Sequence, residues 1–141
     1  MSNKWNYVTK TTKEQIEKVE KEFNYKFKEE FKEFILKNNA GSPEKYVFDL
    51  PSRTEKCFGG LLSFNENDDD NIFSTNKKTI DDEIYPTRTT ALYVAGDPFG
   101  NLIGFDKTTD KVVFWDHELD TIEVINNDWF SFIDSLYQSK H

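Results

Sequence analysis

Histidine and cysteine are among the scarcest reactive side chains in this sequence, so their neighbours decide what chemistry they could do. His117-Glu118 matches the start of a His-Glu-x-x-His zinc motif, in which two histidines one helical turn apart share a metal. Thr121 stands where the second histidine is needed, and the segment resembles a strand end rather than a helix. His117 is therefore expected to stabilise a turn or lie at the surface. There it could join Asp116 and Glu118 in a partner-contact patch.

Cys57 is the single cysteine of the sequence, so no disulfide can form within it. A thiol attacks as the thiolate, and without an activating histidine or cation it stays mostly protonated at neutral pH. We therefore predict a structural cysteine. A small enzyme that uses Cys57 or a pair of carboxylates is kept as an alternative.

Two loops resemble ligand-binding motifs without completing them. Residues 65–76 offer the oxygen ligands of a calcium loop, but Asp70 replaces its sixth-position glycine and Asn76 its twelfth-position glutamate. Gly96 and Gly100 lack the Gly-Lys-Ser/Thr or Gly-x-Gly-x-x-Gly spacing of a phosphate loop. Any acid–base pair chosen among so many carboxylates would be arbitrary. We predict no catalytic residue, no metal site and no cofactor, and hence not an enzyme.

Three main helices are predicted from apolar residues spaced three and four apart. The first covers residues 11–23, where Thr11 and Glu14 can form a capping box. The second ends at an Asn-Asn-Ala-Gly-Ser-Pro run. The last begins at Asn127 or Asp128 and carries an apolar stripe for the core, formed by Trp129, Phe132, Ile133 and Leu136.

Strands are predicted at residues 46–50, 58–64, 91–95, 102–105, 112–115 and 121–125. A tight turn at residues 96–100 and a longer loop at residues 107–110 join the central ones. A short helix can begin near Ile72. Because the central strands are largely apolar rather than alternating, both of their faces should be covered. The predicted fold is α+β, with two N-terminal helices and one C-terminal helix packed against a mainly antiparallel twisted sheet.

The segment from residue 97 to residue 118 also resembles a known family. Its Asp-x-x-Gly-Asn-Leu-Ile-x-Phe-Asp strand and the following Val-x-Phe-Trp-Asp-His-Glu are similar to the core signature of the SUKH superfamily. That superfamily includes fungal cell-wall assembly regulators and many bacterial immunity proteins. The predicted helices and the Gly-Leu-Leu-Ser-Phe strand follow in the family's order. The resemblance therefore implies one SUKH-like domain over residues 1–141.

The net charge of −8 is unevenly distributed. Through Cys57 there are 12 basic and 10 acidic residues. From Phe58 onward there are 6 basic and 16 acidic residues, which gives this part a net charge of −10. Such a field repels nucleic acid, whose phosphates must be neutralised by Lys or Arg, and attracts basic proteins. The acidity could equally serve solubility alone. The first thirty residues are charged rather than an apolar signal, and no apolar run approaches the roughly 20 residues that span a bilayer, so we expect a cytoplasmic protein.

The resemblance and the charge together imply an immunity protein that binds and occludes a cognate toxin domain, with a basic nuclease as the inferred toxin. The alternative is a regulatory adaptor that binds host client proteins, as in cell-wall assembly. The predicted partner-binding residues are all acidic. Those expected to steer association are Asp68, Asp69, Asp70, Asp81, Asp82 and Glu83, and those expected to make closer contacts are Asp97, Asp116 and Glu118.

Overall fold

The structure, a computed structural model, describes residues 3–52, 55–78 and 84–139. The α-helices in these ranges are α1 (Lys13–Phe23), α2 (Glu29–Asn38), α3 (Ile72–Lys77) and α4 (Trp129–Asp134). A 3-10 helix spans Pro86–Thr90. The first strands are β1 (Trp5–Asn6), β2 (Ser42–Pro43), β3 (Val47–Phe48), β4 (Lys56–Cys57) and β5 (Gly60–Leu61). The remaining strands are β6 (Ala91–Gly96), β7 (Leu102–Asp106), β8 (Val112–Asp116) and β9 (Thr121–Asn126).

Strands β5 to β9 form one antiparallel sheet in which each strand pairs with the next along the chain. In such a meander successive turns lie at opposite ends of the sheet, so the β6–β7 and β8–β9 turns share one end. Gly60 of β5 pairs with Gly96 of β6 at that same end. Two small two-stranded sheets, β1–β2 and β3–β4, and two isolated bridges, Val47 with Tyr137 and Ser63 with Asn71, make up the rest of the β pairing in the described residues. The predicted α+β fold with a mainly antiparallel sheet is confirmed.

One face of the sheet carries the main core, because alternate residues of a strand point to the same side. On this face Phe31 of α2 meets Phe105 of β7 and Trp129 of α4 edge to face, at ring-centroid distances of 5.0 and 5.1 Å. Ile16 and Val19 of α1 are buried in the same cluster. The apolar stripe predicted for the C-terminal segment is also confirmed, since every member is buried: Trp129, Phe132, Ile133 and Leu136.

The opposite face of the sheet is covered by the segment that leads into β6. Tyr93, Val113 and Trp115 form a smaller buried cluster on this face. The Tyr85 ring packs 5.4 Å from the Trp115 ring, and the Arg88 guanidinium lies 5.0 Å from the same ring. Both faces of the sheet are therefore covered, as the apolar, non-alternating sequences of the central strands predicted.

The cap predicted for the first helix is wrong by one residue. Helix α1 begins at Lys13, and its N-cap is Thr12, whose hydroxyl accepts a hydrogen bond from the Gln15 amide at 3.2 Å. The Thr11 hydroxyl instead hydrogen-bonds to the side-chain oxygen of Asn65 at 2.7 Å. Thr11 therefore makes a tertiary hydrogen bond instead of the local capping bond that was predicted for it.

The strands predicted at residues 46–50 and 58–64 are much shorter, and only β3 and β5 form within them. Directly after β5 the Leu62 amide still donates to the Val94 carbonyl of β6 at 2.8 Å, but the Phe64 amide donates to the Asn39 side chain, also at 2.8 Å, and no longer to a strand. The short helix expected near Ile72 is present as α3.

Candidate functional site

The β6–β7 turn is held by the side chain of its first residue. One carboxylate oxygen of Asp97 accepts hydrogen bonds from the Phe99 and Asn101 amides at 2.8 and 2.9 Å. Its other oxygen accepts from the Asn101 side-chain amide at 2.8 Å. Gly100 adopts φ +95°, a conformation that glycine takes without steric cost. Asp97, Gly100 and Asn101 thus each have a defined role in this turn.

The β8–β9 turn is built in the same way. One oxygen of Asp116 accepts from the Glu118 and Leu119 amides at 2.9 and 3.2 Å, and its side chain is buried at 5% exposure. Asp120 closes the turn with φ 48° and accepts a hydrogen bond from the Trp115 indole at 2.8 Å. Both turns therefore have carboxylate anchors that satisfy backbone amides.

Asn101 joins the two turns to each other. Its side-chain oxygen accepts from the His117 amide at 3.0 Å and contacts the His117 Nδ1 at 2.7 Å. Its side-chain nitrogen faces Asp97, so the amide orientation is set from both sides. Asn101 is 5% exposed. We call residues 97–101 and 116–120 the paired turns, because this side chain makes them one braced unit.

An open cleft of about 630 Å³ lies beside the paired turns. Its walls come from residues 59–62, from the loop before α3 and from residues 96–98 and 100–102, and they carry the carboxylates Asp69, Asp70 and Asp97. None of the described residues that line the cleft is basic. We call this feature the acidic cleft. It exists because the Gly60–Gly96 pairing brings the start of β5 against the end of β6.

Glycine backbone forms much of the cleft wall. A Cβ on Gly59 would lie 2.7 Å from the Gly96 carbonyl oxygen, and one on Gly60 would lie 2.8 Å from the Ser42 hydroxyl. Contacts under 3.0 Å require something to move, so these positions tolerate no side chain without rearrangement. The close packing of these glycines against Gly96 and Ser42 therefore sets the shape of the wall.

The loop before α3 divides its three aspartates between two roles. Asp68 accepts hydrogen bonds from the Ser63 hydroxyl at 2.7 Å and from the Asn65 side chain at 3.0 Å, and these bonds hold its pKa below the usual value. Asp69 and Asp70 are exposed and face the cleft. Asp70 has φ 51°, which aspartate and asparagine tolerate better than most residues.

The structure thus brings together some of the predicted partner-binding residues and separates others. Asp69, Asp70 and Asp97 share the cleft, and Glu118 is exposed on the neighbouring turn. Asp68 and Asp116 hold backbone and side-chain donors within their own loops. The predicted second cluster, Asp81, Asp82 and Glu83, lies outside the described residues.

The reactive side chains considered above are dispersed. Cys57 is half-buried on β4 opposite Val47, and the His117 ring is engaged by Asn101. Across the described ranges, no three His, Cys, Asp or Glu side chains are grouped so as to hold a metal ion. Asn101 is the site residue that sequence reasoning missed. Its sequence signal was that of a turn residue, and its contact with a residue 16 positions away has no local signature.

None of the helices in the described ranges is long and apolar enough to cross a membrane. No curated protein matches the chain significantly. The model of the SMI1 / KNR4 family (SUKH-1) matches residues 10–135, which includes the main sheet, all four helices, the acidic cleft and the paired turns. The chain therefore belongs to the SMI1 / KNR4 family, SUKH-1.

Proposed function

We propose that this protein is an immunity protein that binds a cognate toxin domain and occludes its active surface. The SUKH family includes immunity proteins and the SMI1/KNR4 regulators, and its members act through protein–protein interaction. The observation that carries the proposal is the acidic cleft, where Asp69 and Asp70 are exposed, Asp97 lines the wall with its carboxylate engaged by its own turn, and none of the described lining residues is basic.

The chemistry of the cleft favours a basic partner. Carboxylates accept charge-assisted hydrogen bonds from Arg and Lys, and an arginine can use two donors at once. A nuclease carries such residues in its groove, because it must neutralise the phosphates of its substrate. We therefore infer that the toxin is a basic nuclease, and that its cationic side chains enter the cleft.

Charge beyond the cleft supports the same partner. The net charge from Phe58 onward is −10. A field of one sign raises the association rate of oppositely charged proteins. We assign this steering role to Asp68, Asp69, Asp70, Asp81, Asp82 and Glu83, with Asp97, Asp116 and Glu118 nearer the contact. Within that set, Asp116 acts through the turn it holds, since its own carboxylate is buried.

Occlusion needs a rigid surface rather than a catalytic group. The hydrogen bonds of Asp97, Asn101 and Asp116 hold the cleft's neighbouring turns before any partner arrives. Preordering of this kind reduces the entropy that is lost on binding. The braced architecture therefore suits an inhibitor that acts by covering its target.

The proposal predicts that a toxin domain is encoded immediately beside this gene, and that domain is used to test it. Its nuclease activity on a fluorescent nucleic-acid substrate is titrated with the purified chain, and we expect inhibition that is complete at one chain per toxin. A double variant, Asp69→Asn and Asp70→Asn, should weaken inhibition while leaving the fold intact, since both residues are exposed and asparagine also tolerates the φ of residue 70. A matched control, Glu22→Gln and Glu33→Gln, removes the same charge from exposed helix positions.

Gene neighbourhood separates immunity from the regulatory alternative. An immunity gene stands beside a toxin gene, whereas a regulatory adaptor of host clients needs no such neighbour. If the neighbouring toxin domain forms no complex with the chain and keeps its activity, the immunity proposal is wrong and the adaptor becomes the better account.

A further inference from the structure

The paired turns expose two large apolar side chains at one end of the sheet. Phe99 is 66% exposed and Leu119 is 65% exposed. Phe99 precedes Gly100, where an added Cβ would lie 3.5 Å from the His117 ring, and Leu119 follows His117 by two residues. The two apolar side chains therefore stand on adjoining turns. They have no core role that would account for their size.

Both side chains are held on a rigid support. The amide of Phe99 donates to Asp97, and the amide of Leu119 donates to Asp116. Asn101 then ties the two turns together. Exposed apolar groups on preordered backbone lose little entropy when a partner covers them, which is the property of an interface anchor.

Phe99 lies at the edge of the acidic cleft, because the residues on either side of it, Pro98 and Gly100, line that cleft. Leu119 lies on the adjoining turn, which Asn101 ties to the turn of Phe99. Glu118 is exposed next to Leu119. Apolar anchors surrounded by charged residues form the usual arrangement of an energetically dominant interface centre with a polar rim.

We propose that Phe99 and Leu119 insert into apolar depressions on a basic protein, next to the cations that the acidic cleft receives. This inference rests on the proposed function and names the apolar half of the same contact. Charge selects the partner: a second copy of this chain carries the same net charge of −8 and would be repelled. A basic toxin domain satisfies the apolar and the charged parts together.

The experiment measures the dissociation constant of the chain with the toxin domain encoded beside its gene, by calorimetry at low and high salt. Phe99→Ala and Leu119→Ala should each weaken binding about tenfold or more, since truncation removes most of the buried apolar area. This loss should be nearly the same at both salt concentrations, because apolar burial is not screened. The loss caused by Asp69→Asn with Asp70→Asn should instead shrink at high salt.

Val124→Ala is the matched control, because Val124 is 44% exposed on β9 and pairs with Val113, away from the paired turns. It should leave the dissociation constant unchanged, and all variants should keep the thermal melt of the parent. Changes of less than twofold for both anchor variants in a tight wild-type complex would overturn this inference and leave the proposed function standing. Absence of any wild-type complex would overturn both.

Sedimentation of the chain alone tests whether a second copy of the chain, rather than a toxin domain, covers Phe99 and Leu119. We expect a species whose mass does not depend on Phe99 or Leu119. A dimer that the double variant Phe99→Ala with Leu119→Ala dissociates would assign this surface to a second copy and overturn the inference.

Discussion

Asn101→Ala is the substitution that most sharply tests the braced turns. The wild-type side chain donates to Asp97 at 2.8 Å and accepts from the His117 amide at 3.0 Å. Removing it leaves Asp97 with two backbone donors and leaves the His117 amide without this acceptor. No competing contact is created, because alanine adds no atoms.

The magnitude follows from the bonds that are lost. A neutral hydrogen bond contributes about 1 kcal/mol net, and one to a charged acceptor about 1.5 kcal/mol or more. We therefore expect the free energy of unfolding to fall by about 2.5 kcal/mol. For a domain of this size that corresponds to a fall in Tm of about 8 °C.

Urea denaturation followed by circular dichroism measures the effect. Asn127→Ala is the matched control, since Asn127 is exposed and its side chain makes no hydrogen bond within the described part of the chain, and it should change stability by less than about 0.5 kcal/mol. Asn101→Asp adds a second test, because it keeps an acceptor for His117 but sets a carboxylate against Asp97. Repulsion raises the pKa of the introduced group, so this variant should regain stability as the pH falls. Equal stability of Asn101→Ala and Asn127→Ala would refute the bracing argument.

Three further predictions follow from the fold. Gly104→Ala should cost about 3 kcal/mol or prevent folding, because its Cβ would lie 2.1 Å from the Leu92 carbonyl oxygen on the adjacent strand; near-parental stability in denaturant would contradict this. Asn39→Ala should cost about 3 kcal/mol by the same measurement, because the fully buried Asn39 side chain accepts from the Phe64 amide, and a loss below about 1 kcal/mol would show that this amide finds another partner. The hydrogen bond to Asp49 raises the pKa of Tyr137 to about 12, so this pair's stabilisation is present below the usual tyrosine value of 10.0 and is lost as the pH rises through about 12. An NMR titration should find the Tyr137 pKa near its ordinary value in Asp49→Asn, and an unchanged pKa would exclude that bond as the cause.

Local sequence signals predicted the elements whose defining contacts join residues close together in the sequence. Asn127 or Asp128 was expected to cap the last helix, and Asp128 is the one that does so, since its carboxylate accepts from the Ser131 amide at 2.9 Å. The hairpins around residues 96–100 and 107–110 were predicted because turn chemistry and apolar runs are both local properties. These elements depend on contacts within a few residues, so a single sequence contains the information for them.

The site required long-range contacts that no local pattern encodes. Asp70 and Asp97 are far apart in sequence and share a cleft only because β5 pairs with β6. Asp116 and Glu118 look equivalent in sequence, yet Asp116 is buried because its carboxylate finds two backbone amides, whereas Glu118 remains exposed. Burial of an acidic residue depends on such donors, which the residue type alone does not reveal.

The most direct test of the central claim is the association rate between this chain and the toxin domain encoded beside its gene, measured by stopped flow across a range of salt concentrations. We expect the wild-type rate to fall steeply with salt, and Asp69→Asn with Asp70→Asn to lower it roughly tenfold at low salt and to flatten the dependence. Glu22→Gln with Glu33→Gln carries the same net charge and should keep most of the wild-type rate. Equal rates and slopes for the two double variants would show that the acidic cleft does not receive the partner, and would contradict the account.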